Sequence, residues 1–421
     1  EFFVELLANN NILTGALLIC TLIIILFIYL ISQIAKLKVG RFLITAFIPI
    51  AFTISLGQYT LKTIIQFLHD DEPISHTSPI NVNNLSGRNV YYIILDGYPG
   101  YSSLRRLTKF DNSRFIKKLK NLGFVHLDQS RSAYFTTYLS LAAIVDANLL
   151  ATEETKPYIN RSQFYPRILN KSPLPKLFRH FQNGGYNLFL ASNHWGGCPP
   201  KDSPIICLNY DSIFKRMLNY QFLTFLDDTP AGWLFAKTES VILRDDAVNL
   251  ANSKLGRMLK RTPFFVFIHD LRPHDPTQYS DCSSRKKSPD KLDMNAVVQQ
   301  IECLNQDVTN LVKKIINQDK LATIIIQSDH GSGININFKW RINQWTEEAI
   351  NTRSDIINLV RLAPKCRRWI KSNLNQINTA RLIMGCSKGK KPDFLPNISF
   401  GALYEDSPDY GKVFRLKMGI K

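Results

Sequence analysis

Two long apolar runs near the start of the sequence, Ile12–Ile31 and Phe42–Leu61, contain no charged residue. Each is long enough for a helix that crosses a bilayer, which needs about 20 residues. A buried hairpin in a soluble core is the alternative, but adjacent uncharged runs of this length are rare in soluble proteins. A cleaved signal peptide would account only for the first run. The sequence therefore predicts a membrane anchor with two transmembrane helices over residues 1–69.

The short segment between the two runs predicts their orientation. It carries Lys36, Lys38 and Arg41, and short positively charged loops stay on the cytoplasmic side of a membrane. We therefore expect a multi-pass protein of the inner or cytoplasmic membrane whose remaining residues are extracytoplasmic, either periplasmic or extracellular. The sequence starts at Glu1 rather than at a methionine, which leaves room for further membrane segments upstream.

The rest of the chain divides into a polar linker and one large domain. Residues 70–88 are polar and contain Pro, Ser, Asn and Gly, which is typical of a linker, and residues 89–421 are predicted to form the extracytoplasmic domain. The formal charge of +18 indicates an anionic partner. Because no nucleic-acid-binding signature is present, we expect membrane lipid or a phosphate-bearing lipid as the partner, and no nucleic acid.

The cysteines agree with an extracytoplasmic domain. Cys20 lies in the first apolar run, and the other six cysteines lie in the predicted domain. An even number outside the membrane favours disulfide bonds in an oxidising compartment over free thiols, and the paired short spacings of a zinc cluster are missing. The favoured pairs close short loops: Cys198–Cys207 and Cys366–Cys386, with Cys282–Cys303 as a third.

Strand and helix patterns alternate along the predicted domain. Asp111 is expected to cap a helix that stops at Gly123, and Ser172 a helix that runs towards Gly184. Helical spacing also extends over Asp293–Gln318. Near-continuous apolar strands that alternate with helices indicate an α/β fold with a mostly parallel sheet, flanked by helices on both faces. The β-rich apolar runs are Val90–Leu95, Asn187–Ala191, Phe264–Ile268 and Ala322–Gln327.

Carboxylate and imidazole side chains follow three of these strands. Ligands of open α/β sheets bind outside the carboxyl ends of the strands, so we expect these side chains to meet. Taken singly, each has an ordinary structural interpretation, such as a helix cap or a hydrogen-bonded core histidine. Together they predict a site for one divalent metal ion, and mixed Asp and His ligands favour zinc or manganese over calcium or magnesium. The residues are Asp96, His269, His274, Asp329 and His330.

A nucleophile for such a site is expected in the segment Ser130–Leu150. Thr136, Thr137 and Ser140 stand where a helix is predicted to begin. The free amides and the positive dipole end of a helix N-terminus favour an anionic oxygen or a phosphate group. An ordinary threonine cap is the alternative, and the residues alone do not decide among the three hydroxyls.

The motifs together resemble the sulfatase-type branch of the alkaline phosphatase superfamily. LDGY, TYLSLA, an HxxxPHxP cluster and SDHG occur in this order over residues 88–335. The likeness is greater to membrane-bound members, the lipoteichoic acid synthases and phosphoethanolamine transferases. The resemblance implies an alkaline phosphatase-like fold with one divalent metal ion, bound by Asp96, Thr137, Asp329 and His330.

The same resemblance implies a reaction. Thr137 would be the nucleophile and would form a phosphothreonine intermediate, with the metal ion activating its hydroxyl. His269 and His274 would contact the transferred group or protonate the leaving oxygen. We therefore expect an enzyme, a transferase or hydrolase that acts on phosphate esters of a lipid or an envelope polymer.

The sequence departs from the family pattern at three positions, and other functions are alternatives to a phosphate-ester transferase or hydrolase. Ala133 and Phe135 stand where such members tend to have Asn and Pro, and Asp275 follows His274 where a proline is frequent. Sulfate-ester hydrolysis is the alternative, but it needs a C-x-P-x-R segment, and the sequence that starts at Cys198 lacks the arginine. A non-catalytic, membrane-tethered binding protein would lack a ligand, whereas all four are present. Two apolar runs are too few for a transporter.

Overall fold

The computed structural model describes residues 85–155, 158–159, 164–193, 196–200, 203–208, 247–274, 278–283, 293–404 and 406–416. All of them belong to one compact unit that spans residues 73–227 and 231–421, and the chain's other unit, residues 1–72 with 228–230, lies outside this description. Both predicted transmembrane runs and the charged loop between them lie outside it as well. Within the described ranges, no helix is long and apolar enough to cross a membrane. The predicted boundaries at residues 69 and 88 stay a prediction.

A seven-stranded sheet forms the centre of the described domain. Its strand order is β2-β7-β6-β1-β5-β3-β4, and β8 pairs with β9 outside it. Five neighbouring strands run parallel to one another: β6, β1, β5, β3 and β4. The antiparallel pairs are β6 with β7 and β7 with β2. The mostly parallel sheet is therefore confirmed. The strands are β1 Val90–Leu95, β2 Val125–His126, β3 Asn187–Ala191, β4 Ile205–Cys207, β5 Phe264–Asp270, β6 Thr323–Gln327, β7 Asn358–Arg361, β8 Phe400–Ala402 and β9 Val413–Arg415.

All four predicted strands are present, and their ends matter for the site. Strands β1 and β3 have the predicted bounds, and β6 begins one residue late. Strand β5 continues beyond Ile268, because its pairing with β1 sets Ile94 opposite His269 and Leu95 opposite Asp270. His269 therefore lies inside the strand rather than after it.

The helices cover both faces of the sheet, as predicted. Alternate side chains of β1 point to opposite faces: Tyr92 and Ile94 pack with α3, α4 and α8, whereas Tyr91 and Ile93 pack with α5 and α6. The described α-helices are α1 Tyr101–Thr108, α2 Ser113–Asn121, α3 Thr137–Asp146, α4 Lys176–Asn183, α5 Ala247–Leu259, α6 Met294–Gln318, α7 Glu347–Ser354 and α8 Gln376–Ser387.

One predicted helix start agrees with the structure, and the predicted cap at Asp111 is displaced by one residue, to Asn112. The Asp293 carboxylate accepts the amide hydrogen of Asn295 and caps α6. Asp111 lies two residues before α2 and accepts the amide hydrogen of Ser113 at 3.0 Å. Helix α2 ends just before Gly123, whose φ of 89° lies in the left-handed region that glycine favours after a helix.

The predicted start at Ser172 is wrong. Helix α4 begins at Lys176, directly after Pro175. Ser172 is followed by Pro173, and the residue before a proline is disfavoured in the helical region. A second proline at position 175 shifts the start past both prolines, to the first position where the helix can run without interruption.

The three predicted disulfides are confirmed, with Cα separations between 5.5 and 5.8 Å, inside the limit of about 7 Å for such a bond. One joins the segment after β3 to β4, one joins the segment after β5 to α6, and one joins the 3₁₀ helix Pro364–Trp369 to α8. The bonds are Cys198–Cys207, Cys282–Cys303 and Cys366–Cys386.

Candidate metal centre and active site

The order of the strands brings the chemistry-bearing residues to one place. Strand β1 lies between β5 and β6, so the carboxyl ends of these three strands are neighbours. Asp96 directly follows β1, His269 is the penultimate residue of β5, and Asp329 and His330 come shortly after β6. Thr137 is the first residue of α3.

Three of these residues could hold a metal ion. Asp96, Asp329 and His330 each offer one ligand atom, and these atoms lie within 4.8 Å of one another. All three side chains are buried. The Thr137 hydroxyl oxygen lies 2.9 Å from His330 Nε2, so the structure brings together the four residues that the family resemblance implies as ligands.

The protonation of His330 makes Nε2, the ring nitrogen beside the two carboxylates, a hydrogen-bond acceptor. Its Nδ1 lies 2.9 Å from the Gly331 carbonyl oxygen, which can only accept, so Nδ1 carries the proton. Its Nε2 lies 3.0 Å from Arg353 Nη2, which can only donate, so Nε2 is an acceptor. Burial and the nearby Arg353 charge lower the pKa of His330, which keeps the ring neutral.

The acceptors in this site therefore face one another. His330 Nε2 lies 3.2 Å from Asp329 Oδ2 and 3.7 Å from Asp96 Oδ1. Both carboxylate oxygens are buried and have no hydrogen-bond donor among the described residues. Because lone pairs on three neighbouring acceptors repel one another, a bound cation is the group that fits between them.

The two aspartates have opposite pKa shifts. Burial alone would raise the pKa of Asp96, but the hydrogen bond from His269 and then the charge of His274 outweigh it, and the pKa is lowered. Burial and then the charge of Asp96 raise the pKa of Asp329. Two adjacent carboxylates rarely ionise together without a cation, so a divalent ion would allow both to be charged.

His269 is fully buried and is held between Asn193 and Asp96. Asn193 Oδ1 accepts the Gly196 amide hydrogen at 2.7 Å, so the amide nitrogen of Asn193 donates to His269 Nδ1 at 3.0 Å. His269 Nε2 therefore carries the proton and donates to Asp96 Oδ2 at 3.2 Å. The bond orients Asp96 and leaves its other oxygen for a metal ion. A contact between His269 and the transferred group stays a prediction.

His274 stands at the rim of the site. It is exposed, and its ring centroid lies 6.5 Å from that of His330. The neighbouring Asp275, where the sequence departs from the family pattern, lies outside the described residues. His274 is thus placed where a group entering from solvent would meet an imidazole, and its role also stays a prediction.

The structure separates the three hydroxyls that the sequence left open. Thr137 Oγ1 faces His330, whereas Ser140 Oγ donates to the carbonyl of Tyr134 at 2.9 Å. Thr136 occupies the cap position of α3 without a capping bond, and its buried hydroxyl has no partner in the described part of the chain. Among the three hydroxyls, Thr137 alone has its oxygen on a candidate metal ligand.

Sequence reasoning missed two residues next to Thr137. Arg353, at the end of α7, is 1% exposed, and its guanidinium reaches His330, two backbone carbonyls and the hydroxyl of Tyr404. Burial raises the pKa of Tyr404, so its hydroxyl keeps its proton. Both residues lie after the motif region, and nothing in their local sequence distinguishes them.

A family model described as Sulfatase matches residues 89–354, more than half of the chain. The protein belongs to the sulfatase family, and with it to the alkaline phosphatase/sulfatase superfamily. Members of this family are transferases or hydrolases that use a metal ion. A comparison with curated protein sequences found no match.

Several solved structures are similar to this chain. They include the integral membrane lipooligosaccharide phosphoethanolamine transferase A (EptA) of Neisseria meningitidis, 13% identical over 90% of this chain and 70% of that chain, with a TM-score of 0.46. The periplasmic domain of EptC from Escherichia coli is 10% identical over 83% and 97%, with a TM-score of 0.46. The phosphonate monoester hydrolase of Silicibacter pomeroyi is 14% identical over 75% and 79%, with a TM-score of 0.43.

Proposed function

We propose that this protein is a membrane-anchored, metal-dependent transferase or hydrolase that acts on phosphate esters through a phosphothreonine intermediate at Thr137. The observation that carries the proposal is the 2.9 Å separation between the Thr137 hydroxyl oxygen and His330 Nε2, since that nitrogen also faces Asp96 and Asp329. A hydroxyl at a helix start beside a cation site is placed to act as a nucleophile.

The chemistry divides between the chain and the metal ion. Asp96, Asp329, His330 and Thr137 would hold the ion, and a histidine ligand favours zinc or manganese. When bound, the ion supplies positive charge that activates the hydroxyl and offsets phosphoryl charge. His269 holds Asp96 in position through its hydrogen bond at 3.2 Å.

The proposed reaction has two steps. In the first, Thr137 Oγ forms a bond to phosphorus while the bond from phosphorus to the leaving oxygen breaks. The proton lost by Thr137 is returned to the leaving oxygen, and His274 at the rim of the site is proposed to carry it. In the second, an acceptor hydroxyl or water forms the new bond to phosphorus, the bond to Thr137 breaks, and Thr137 regains a proton.

A phosphate ester is favoured over a sulfate ester by the nucleophile itself. Sulfate-ester hydrolysis in this family relies on a formylglycine made from Cys or Ser in a C-x-P-x-R segment, and a threonine stands at the candidate site. We further propose an extracytoplasmic domain acting on a phosphate-bearing lipid or envelope polymer. The two apolar runs and the charge of +18 support this proposal.

Model esters test the proposal. The full-length protein in detergent, supplied with zinc or manganese, should hydrolyse p-nitrophenyl phosphate or bis(p-nitrophenyl) phosphate faster than p-nitrophenyl sulfate. Thr137→Ala should reduce turnover by orders of magnitude, whereas Thr136→Ala, the matched control one residue away, should retain most of it. Faster hydrolysis of the sulfate ester, or full activity in Thr137→Ala, would contradict the proposal.

A further inference from the structure

A long stretch of the described chain is strongly basic. Residues 356–392 contain nine lysines or arginines and no carboxylate. Seven of these cations lie in two short segments: the 3₁₀ helix Pro364–Trp369 with the two residues after it, and the four residues that follow α8. Six of the seven side chains are exposed and that of Lys388 is half-buried. The seven residues, which we call the basic surface, are Lys365, Arg367, Arg368, Lys371, Lys388, Lys390 and Lys391.

The fold joins the two segments into one surface. The disulfide Cys366–Cys386 links them, with its Cα atoms 5.6 Å apart. A Cβ atom at Gly389 would lie 3.7 Å from Lys365 Nζ, so the lysine of the first segment reaches the second. Burial lowers the pKa of Lys388, and the charges of two nearby lysines lower it further. The cations of the basic surface are therefore close enough to repel one another.

The repulsion within the basic surface is not offset by neighbouring acidic side chains. Within the part of the chain that the structure describes, none of the seven cations forms an ion pair with a carboxylate. The carboxylate that is nearest to them in sequence, Asp393, lies 3.1 Å from Arg381 Nη1 instead. Because like charges held together destabilise a compact domain, this surface suits an anionic partner that covers it.

Two observations favour a lipid bilayer as that partner. The described domain begins beside the basic surface, since the Ser86 amide donates to the Ser387 carbonyl at 2.9 Å, and the predicted membrane runs precede Ser86 in the sequence. Trp369 is half-buried within the first basic segment, and Arg368 Cζ lies 4.8 Å from its ring centroid. Tryptophan favours the headgroup level of a bilayer, and clustered lysines and arginines bind anionic headgroups.

The basic surface is separate from the candidate metal centre. Helix α8 runs between them: Gln376, its first residue, donates to the Asp329 carbonyl at 2.8 Å, whereas its last residue, Ser387, directly precedes Lys388. A helix of twelve residues is about 18 Å long. Lipid bound at one end of α8 would therefore leave the metal centre at the other end open.

We propose that the basic surface docks on the anionic lipid headgroups of a bilayer. The inference rests on the membrane-anchored part of the proposed function and on none of its catalytic residues. The cations act together, because each lysine or arginine near a bilayer is attracted to anionic lipid, and salt screens that attraction. Docking would fix which end of the domain faces the headgroups.

Amide hydrogen exchange of the full-length protein in lipid nanodiscs tests the docking. Residues 364–371 and 386–391 should exchange more slowly in discs that contain phosphatidylglycerol than in discs of phosphatidylcholine alone. Salt at about 1 M should remove the difference, because the Debye length is then only about 3 Å. This comparison uses the native protein and requires no substitution.

Two variants with four substitutions each show which cations are responsible. The first should lose the slow exchange, because each cation removed weakens docking by up to about fivefold. The second removes four cations of α1 and α2 that are also exposed and should keep it. The substitutions in the first are Lys365→Gln, Arg367→Gln, Lys390→Gln and Lys391→Gln. Those in the second, the matched control, are Arg105→Gln, Arg114→Gln, Lys117→Gln and Lys118→Gln. Urea unfolding like that of the native protein shows that each variant is folded.

The outcomes separate this inference from the proposed function. Equal exchange in the two kinds of disc, or slow exchange that persists in the first variant, would overturn the inference and leave the proposed reaction intact. Slow exchange caused by soluble polyphosphate but not by anionic discs would also overturn it, because the surface would then bind a soluble polymer. If the protein does not insert into discs but sediments with anionic vesicles, and the first variant does not, the docking surface stands and the proposed anchor fails.

Discussion

Replacement of Asp329 by asparagine is expected to stabilise the metal-free protein while it abolishes metal binding. The ligand atoms of Asp96 and Asp329 lie within 4.8 Å of each other. Two unit charges at that separation repel by about 3 kcal/mol at an effective dielectric constant of about 20. Asparagine removes this repulsion and keeps an oxygen for the Gly97 amide, which now donates to Asp329 Oδ1 at 3.0 Å.

The net gain is smaller than the repulsion. A neutral acceptor makes a weaker hydrogen bond to the Gly97 amide than a charged one, a loss of about 1 kcal/mol. The gain in free energy of unfolding should then be about 1 to 2 kcal/mol. Because the pKa of Asp329 is raised in the folded state, the native protein loses stability as pH rises through that pKa. The gain should therefore be larger at pH 8 than at pH 5.

Urea unfolding of the full-length protein in EDTA and in zinc measures this effect. Zinc should stabilise the native protein and leave Asp329→Asn unchanged. The control is Asp355→Asn, because Asp355 is also buried but has a cation, Arg131 Nη1, at 3.1 Å, so its neutralisation should destabilise. The electrostatic account of the site is wrong if Asp329→Asn is less stable than the native protein in EDTA. It is also wrong if zinc raises the free energy of unfolding of Asp329→Asn as much as it raises that of the native protein.

Three further predictions concern positioning, pH and cross-linking. His269→Phe removes the donor to Asp96 and should weaken zinc affinity about 10- to 100-fold in a calorimetric titration. Burial lowers the pKa of His180 to about 3, so the unfolded chain takes up a proton that the folded one excludes, and stability should fall as pH drops from about 6.5 towards 3. His180→Gln should flatten that slope in urea unfolding. Replacement of both Cys366 and Cys386 by serine opens a bond with a sequence separation of 20 and should cost about 3 kcal/mol of unfolding free energy.

Each of these predictions has a contradicting result. Native zinc affinity in His269→Phe would show that Asp96 needs no partner to bind the ion. If stability depends on pH in His180→Gln as it does in the native protein, the buried histidine is not the cause of that dependence. Equal stability with and without the Cys366–Cys386 bond would mean that packing of α8 alone holds this region together.

The strands could be predicted from the sequence because apolar runs are local signals, whereas the metal-ligand set was implied by the resemblance to the sulfatase-type branch. Apolar runs such as Val90–Leu95 mark buried parallel strands, and parallel strands place their carboxyl ends on one edge. Because β1 and β6 are neighbouring parallel strands, Asp96 and Asp329 come close to each other at that edge. The cysteine pairs followed from the short loops that they close.

The features of the site and fold that the sequence did not predict depend on contacts between distant residues. Arg353 bonds the Phe135 carbonyl and Tyr404 accepts the Thr137 amide hydrogen, each from more than 200 residues away along the chain, and their surroundings in sequence are ordinary. The choice between Thr136 and Thr137 depends on where α3 begins, since neighbouring side chains at a helix start point in different directions. Pairing with β1 extended β5 through His269, and two prolines displaced the start of α4.

The most direct test of the central claim is to locate the phosphorylated residue. The metal-loaded full-length protein would be mixed with a phosphate ester, quenched in acid during turnover, digested and analysed by mass spectrometry. The account predicts phosphate on Thr137 alone, and none in the Thr137→Ala protein. Phosphate on Thr136 or Ser140, or turnover of the ester without any phosphorylated peptide, would contradict it.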